Sequence, residues 1–205
     1  MIETLESAAG RPVSRETFEA VQDYCGILRA GAAEQNLVSR ETLPVLWKRH
    51  ILDCAQLVRF EPSTGVSWVD VGAGAGLPGI MIALLVEGPV LLVEPRRLRA
   101  DFLALCVREL GLQGRVIVSR TKVERIEGKF DVITARAVAA LPRLFGMAHH
   151  LSHEETVWVL PKGRSAKSEL AETELSWQGV FHVERSVTDA VSQILVATGV
   201  KAKQK

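Results

Sequence analysis

The sequence has no neighbouring cysteines: its three, Cys25, Cys54 and Cys106, are odd in number and far apart. That excludes a CxxC zinc knuckle or dithiol motif and fits a reduced compartment. Long apolar runs are missing too. The longest, Ile80 to Val86, falls far short of the roughly 20 residues that span a bilayer. Met1 to Gly10 carries acids and no apolar signal stretch, so an unexported, cytoplasmic chain without a membrane partner is expected. Aromatics make up 5% with one tyrosine, too few to stack bases along an aromatic sheet. Neither charge sign dominates: 25 Lys and Arg face 24 Asp and Glu, so an anionic partner must be met by a local patch. A GxSxG elbow and a P-loop lysine are both lacking, which argues against serine hydrolase and P-loop chemistry. His149, His150 and His153 have no companion ligand set, so no metal site is expected.

What is present is enough apolar sequence, 47% of 205 residues, for one substantial core. From Val66 onward, β-rich runs alternate with amphipathic stretches, the pattern of an α/β fold with a mainly parallel sheet. Val66 to Val71, Val90 to Glu94, Arg115 to Ser119, Phe130 to Thr134 and Thr156 to Leu160 read as buried strands. Leu98, Phe102, Leu105, Cys106 and Leu110 recur at helical spacing before Gly111. Val180 to Val187 and Ile194 to Val200 suit a C-terminal antiparallel hairpin, and the Lys201, Lys203, Lys205 tail is expected to fray. Upstream, Phe18, Val21, Cys25 and Leu28 form one helical stripe, and Leu43, Leu46, Trp47, Ile51, Cys54 and Val58 form another. The chain is expected to divide into a helical N-terminal cap, 1–65, and a core, 66–205, in one compact, monomeric unit.

The sharpest local signal is Val69 to Gly79, a strand entering a glycine-rich turn and then an apolar helix. Glycine lets a ligand approach the backbone closely, and Pro78 suits a first helical turn whose N-terminus would face that ligand. Gly72, Gly74 and Gly76, with Asp70 two residues before the turn, give a GxGxG register. Gly74, Gly76 and Gly79 satisfy GxGxxG equally well. Glu94 ends the next strand where an acid grips ribose hydroxyls. An NAD(P)-dependent oxidoreductase is therefore an open alternative, with Arg96 and Arg97 placed to meet a 2′-phosphate.

Further segments match one family in order and spacing. Asn36-Leu37-Val38 and Trp47 through Arg49-His50-Ile51-Leu52-Asp53-Cys54 precede the loop Asp70 to Ile80. Phe102-Leu103, Val123-Glu124, Phe130-Asp131, Arg136-Ala137 and Lys162-Gly163 follow it. This collinear set resembles the bacterial small-subunit (16S) ribosomal RNA guanine-N7 methyltransferases, the glucose-inhibited division protein B family. The resemblance implies a class I methyltransferase (Rossmann-like) fold that uses S-adenosylmethionine and releases S-adenosylhomocysteine. It implies cofactor contacts at Gly72, Leu77, Val123, Glu124 and Arg136, the adenine lying by Val123 and Glu124. Read alone, those two are an ordinary apolar and solvated pair. The implied substrate is small-subunit ribosomal RNA or the assembling subunit.

Guanine N7 keeps a lone pair at neutral pH, so attack on a sulfonium methyl needs alignment and no general base. The base becomes cationic, so a nearby carboxylate or carbonyl helps the transition state more than an arginine does. Cofactor candidates are thus Asp70, Gly72, Gly74, Gly76, Leu77, Glu94, Val123, Glu124 and Arg136. Candidates for RNA contact are Arg49, His50, Arg120, Lys122, Arg136, Lys162 and Arg164, beside Arg96, Arg97, Arg99 and Arg125 near the sheet edge. Any of these cations would also suit a solvated surface, and His50 a packed helix position. The family's C-terminal strand carries basic residues where this chain has Ser192 and Gln193. That departure keeps a non-catalytic RNA-binding protein as a third reading.

Overall fold

A computed structural model describes residues 1–204 of the chain. Two helices open it, α1 (Ile2–Ala9) and α2 (Arg15–Glu34). Ser14 caps α2 by accepting from the Thr17 N–H at 3.1 Å, and Val21, Tyr24, Cys25 and Leu28 form its buried stripe. The second stripe is not one α-helix. Pro44, which has no N–H to donate, sits in a 3-10 segment (Arg40–Val45), followed by a π-helical turn (Trp47–Leu52). The short α3 (Asp53–Ala55) and a second 3-10 segment (Gln56–Phe60) complete the cap. Leu46, Ile51, Cys54 and Val58 are nevertheless all buried, so the apolar pattern survives the change of helix type.

The core alternates β1 (Trp68–Val71), α4 (Gly79–Leu85), β2 (Val90–Val93), α5 (Arg97–Glu109), β3 (Val116–Ser119), β4 (Phe130–Thr134), α6 (Leu141–Ala148), β5 (Ser152–Lys162), α7 (Ala166–Thr173), β6 (Trp177–Arg185) and β7 (Gln193–Ala202). The seven strands run in the order β3-β2-β1-β4-β5-β7-β6. β1 to β5 pair in parallel, and β7 lies antiparallel between β5 and β6. Strand order reverses between β1 and β4, and the crevice beyond that switch point is where open α/β sheets bind ligands.

Alternation along β1 divides the interior. Trp68 joins the cap, α4 and α5 in one apolar cluster, while Val69 and Val71 face α6, Trp158 and Leu195 in the other. Phe145 anchors the second face edge-on to Trp158, ring centroids 4.9 Å apart. On α5 the buried positions include Phe102, Leu103, Cys106 and Val107, whereas Leu98 and Leu105 face solvent. β1 starts at Trp68 and not at Val66, because the Asp131 carboxylate takes the Ser67 N–H and hydroxyl, each at 2.7 Å. The C-terminal tail is not frayed as far as Lys203, whose N–H donates to the Ser176 carbonyl at 2.9 Å. Lys205 lies outside the described residues. No helix among them is long and apolar enough to cross a membrane.

Candidate functional site

The glycine turn leaves β1 with its first two amides, Gly72 and Ala73, donating to the Val93 carbonyl at 2.8 and 3.0 Å. Gly72, Gly74 and Gly76 have φ of 71°, 58° and 88°, a left-handed run that only glycine adopts without strain. Behind it Asp70 is 1% exposed, and its Oδ2 accepts from the Gly79 N–H at 2.8 Å. The N-terminus of α4 therefore faces Asp70, and Pro78 precedes the helix instead of opening it. The expectation of a helix end turned to the ligand is corrected: an acid inside the fold already occupies it. Burial raises the Asp70 carboxyl to about 7, against the pull of the Gly79 N–H and Arg136.

A raised folded-state pKa means that the folded chain holds more protons than the unfolded one between about pH 4 and 7. This contribution to stability is complete below the unfolded pKa and is lost as pH rises through about 7. Asp70→Asn removes it, so the variant's urea midpoint relative to the parent should climb from pH 5 to pH 8. A constant difference would contradict the assignment.

The lone tyrosine ties the cap to this turn: the Tyr24 hydroxyl, fully buried, donates to the Ala75 carbonyl at 2.8 Å. Tyr24→Phe leaves that carbonyl without its partner and should lower unfolding stability by about 1–3 kcal/mol. Equilibrium denaturation measures it, and an unchanged midpoint would show the bond to be dispensable.

Glu94, only 4% exposed, stands at the end of β2. Its Oε2 accepts from the Gly74 N–H at 3.0 Å and its Oε1 from the Arg96 N–H at 2.9 Å. A carboxylate offers about four acceptor sites, so each oxygen retains capacity for a ligand hydroxyl. Gly72, Glu94, Val123 and Glu124 line a cleft of about 360 Å³ whose apolar walls include Val71, Val93 and Met147. Apolar walls for a ring and a fixed acid for a vicinal diol suit an adenosyl group. Gly74 does not line this cleft; it borders it only through the N–H that holds Glu94. Nor do Asp70, Gly76 and Leu77. They are buried behind it, where they shape the turn.

Arg136, a candidate for both cofactor and RNA contact, does not line this cleft. It lines a second cavity, of about 670 Å³, because its Nε donates to the Leu77 carbonyl at 3.1 Å and Nη1 lies 3.4 Å from His50 Nδ1. Burial, then Arg136 and Arg49, push His50 down to about 4, so its ring is neutral at pH 7. With Nδ1 accepting from Arg136, Nε2 carries the proton and donates to the Thr42 hydroxyl at 2.9 Å. The two cavities share Ala137 and Val138. Ala137 has φ of 57°, a conformation that L-residues hold only when the surroundings demand it. A Cβ on Gly72 would lie 2.7 Å from a Val138 methyl, so glycine at 72 lets this partition close onto the turn.

The remaining cations separate. Lys122 lines the smaller cleft with Arg96, Arg99 and Arg143, whereas Arg49 and Lys162 line the larger cavity. Arg49 pairs with Asp189 at 2.8 Å and Lys162 with Glu169 at 2.9 Å, so both are partly committed within the chain. Arg120 and Arg164 are exposed and line neither. Ser192 and Gln193 line the larger cavity, leaving its C-terminal wall polar and uncharged. Gln56, Arg143 and the partition residue Val138 were not singled out from sequence, and Asp53 was named only within a matched segment, without a role. Gln56, polar amid the apolar run of residues 54–58, was the readable sign.

Comparison with known proteins agrees with this geometry. A family model described as rRNA small subunit methyltransferase G (GidB) matches residues 17–195. A Zymomonas mobilis protein named ribosomal RNA small subunit methyltransferase G is 44% identical over 94% of this chain and 90% of its own length. One of the same name from Sphingopyxis alaskensis is 45% identical over 94% and 83%. Among solved structures, a SAM dependent methyltransferase from Aquifex aeolicus superposes with a TM-score of 0.61 at 13% identity, over 76% of this chain and 93% of that one, a likeness of fold. With the family model spanning most of the chain and close relatives nearly its whole length, the chain belongs to the rRNA small subunit methyltransferase G family.

Proposed function

We propose that this chain, acting as a cytoplasmic monomer, methylates N7 of a guanine in 16S small-subunit ribosomal RNA, free or within the assembling subunit. The observation that carries the reading is the pair of cavities divided by Ala137 and Val138: one has nucleoside chemistry, and the other opens among Arg49, His50, Asp53 and Arg136. Family membership removes the footing of the dinucleotide alternative, and methyl transfer itself separates the chain from a non-catalytic RNA-binding protein.

Glu94 would clasp the ribose, and Val123 and Glu124 would border the adenine. When bound, S-adenosylmethionine supplies an electrophilic methyl group on a sulfonium. The residues contribute placement: holding acceptor and donor in line can lower the barrier by as much as about 7–11 kcal/mol. No group need remove a proton, which fits a neutral His50 already bonded on both ring nitrogens. Arg136 would be unfavourable beside a base turning cationic, but Asp53 Oδ2 lies 3.9 Å from it and offsets its charge. Lys122, Arg96, Arg99 and Arg143 around the cleft would meet RNA phosphates.

The test is incubation of purified protein with methyl-labelled cofactor and small subunits from cells lacking it. Label recovered as 7-methylguanosine is expected. No transfer to subunits or free ribosomal RNA, or transfer to another atom, would sink the reading.

A further inference from the structure

Two carboxylates line the larger cavity, Asp53 and Glu169. Glu169 has both oxygens held within the chain, one accepting from Lys162 at 2.9 Å and the other from the Ser165 hydroxyl at 2.7 Å. Asp53 is held by one oxygen only. Its Oδ1 accepts from the Gln56 amide and the Thr188 hydroxyl, each at 2.9 Å. Gln56 is itself locked: it is 1% exposed and its carbonyl accepts from the Val187 N–H at 2.9 Å. Asp53 Oδ2 has no hydrogen-bond partner among the described residues, the Arg136 guanidinium being 3.9 Å away. One oxygen thus fixes the side chain, and the other, facing Arg136 without a hydrogen bond, keeps its acceptor sites open at a cavity wall.

Resting on the reading of a guanine N7 acceptor, we propose that Asp53 is the specificity-determining residue that recognises the target base. Its Oδ2 accepts from the N1–H and the exocyclic N2 amine of guanine. That edge lies across the purine from N7, so a base pointing N7 at the shared partition turns it away from the cofactor cleft. Asp53 lines the larger cavity and not the cleft, as this orientation requires. Adenine is rejected because its N1 is an acceptor and its C2 carries no amine, which would set two acceptors face to face. As N7 donates its lone pair to the methyl carbon and the carbon–sulfur pair stays on sulfur, positive charge spreads over the purine. N1–H then becomes a better donor, so the bond to Asp53 strengthens toward the transition state and acts on kcat.

The experiment uses small-subunit RNA ligated from segments, with guanine or inosine, which lacks the N2 amine, at the target position. The parent should lose about 10- to 100-fold in kcat/KM on inosine, the range for a hydrogen bond to a charged group. Asp53→Ala should be slowed on guanine and show no further loss on inosine. Asp53→Asn keeps an oxygen for Gln56 and Thr188, so it provides a folded comparison, with cofactor calorimetry as the check on both variants. It too should lose most of the guanine preference. A parent indifferent to inosine, or variants that keep the parent's guanine-to-inosine ratio while still methylating guanine N7, would overturn the assignment of Asp53 alone. A parent that methylates no guanine N7 overturns the function itself.

Discussion

Glu94→Ala should weaken binding of S-adenosylmethionine by about two orders of magnitude or more, since it removes a charged acceptor from two ribose hydroxyls at once. The same carboxylate holds the Gly74 and Arg96 amides at 3.0 and 2.9 Å, so the variant also frees the turn that borders the cleft. Loss of those two bonds should lower unfolding stability by about 1–3 kcal/mol. Calorimetry and urea denaturation separate the two effects. Glu94→Gln keeps one accepting oxygen but sets an amide against a backbone N–H, so its affinity should fall between parent and alanine. Parental affinity in the alanine variant would mean that this acid holds only the turn.

Gly74→Val should also abolish measurable cofactor binding, with the fold retained. A Cβ at 74 meets only the Arg99 guanidinium and the Gly72 carbonyl, both at 3.7 Å, which is ordinary contact. The branched carbons would press on Arg99, which lines the cleft, and disturb the amide that holds Glu94 at 3.0 Å. The backbone φ of 58° adds a strain of about 1–3 kcal/mol for a β-branched residue. Gly76→Ala gives the opposite profile. Its Cβ would lie 2.5 Å from Ile80 Cγ1 and 3.0 Å from the Tyr24 hydroxyl, so stability, more than affinity, should suffer. If calorimetry found Gly74→Val binding as the parent does, the turn would not border the cofactor.

The parallel core was legible from its β-rich runs: Phe130–Thr134 runs from the residue to the residue that its apolar pattern indicates, whereas β3, expected to be buried, lies at the sheet edge and leaves Ile117 66% exposed. The hairpin was legible from two runs around polar Thr188 and Asp189, although Ser186, whose hydroxyl takes the Thr188 N–H at 3.1 Å, ends β6 early. Legibility failed where tertiary contact decides. Asp70 reads as a ligand-facing acid two residues before the turn, yet the alternation that buries Trp68 buries it as well. Arg136 follows β4 as expected, but which cavity it enters depends on the Leu77 carbonyl and His50, far away in sequence. The π-helical turn that brings Arg49, His50 and Asp53 to the larger cavity has an ordinary helical stripe as its pattern, so its geometry was not readable. Tyr24 was hidden likewise, since its hydroxyl partner lies in the glycine turn.

A crystal structure with S-adenosylhomocysteine is the most direct test of a nucleoside site built on a glycine turn and one fixed acid. The account predicts both ribose hydroxyls within hydrogen-bond reach of Glu94, the adenine beside Val123, and the sulfur directed at the partition formed by Ala137 and Val138. A ligand bound elsewhere, or a cleft left empty at saturating concentration, would contradict it.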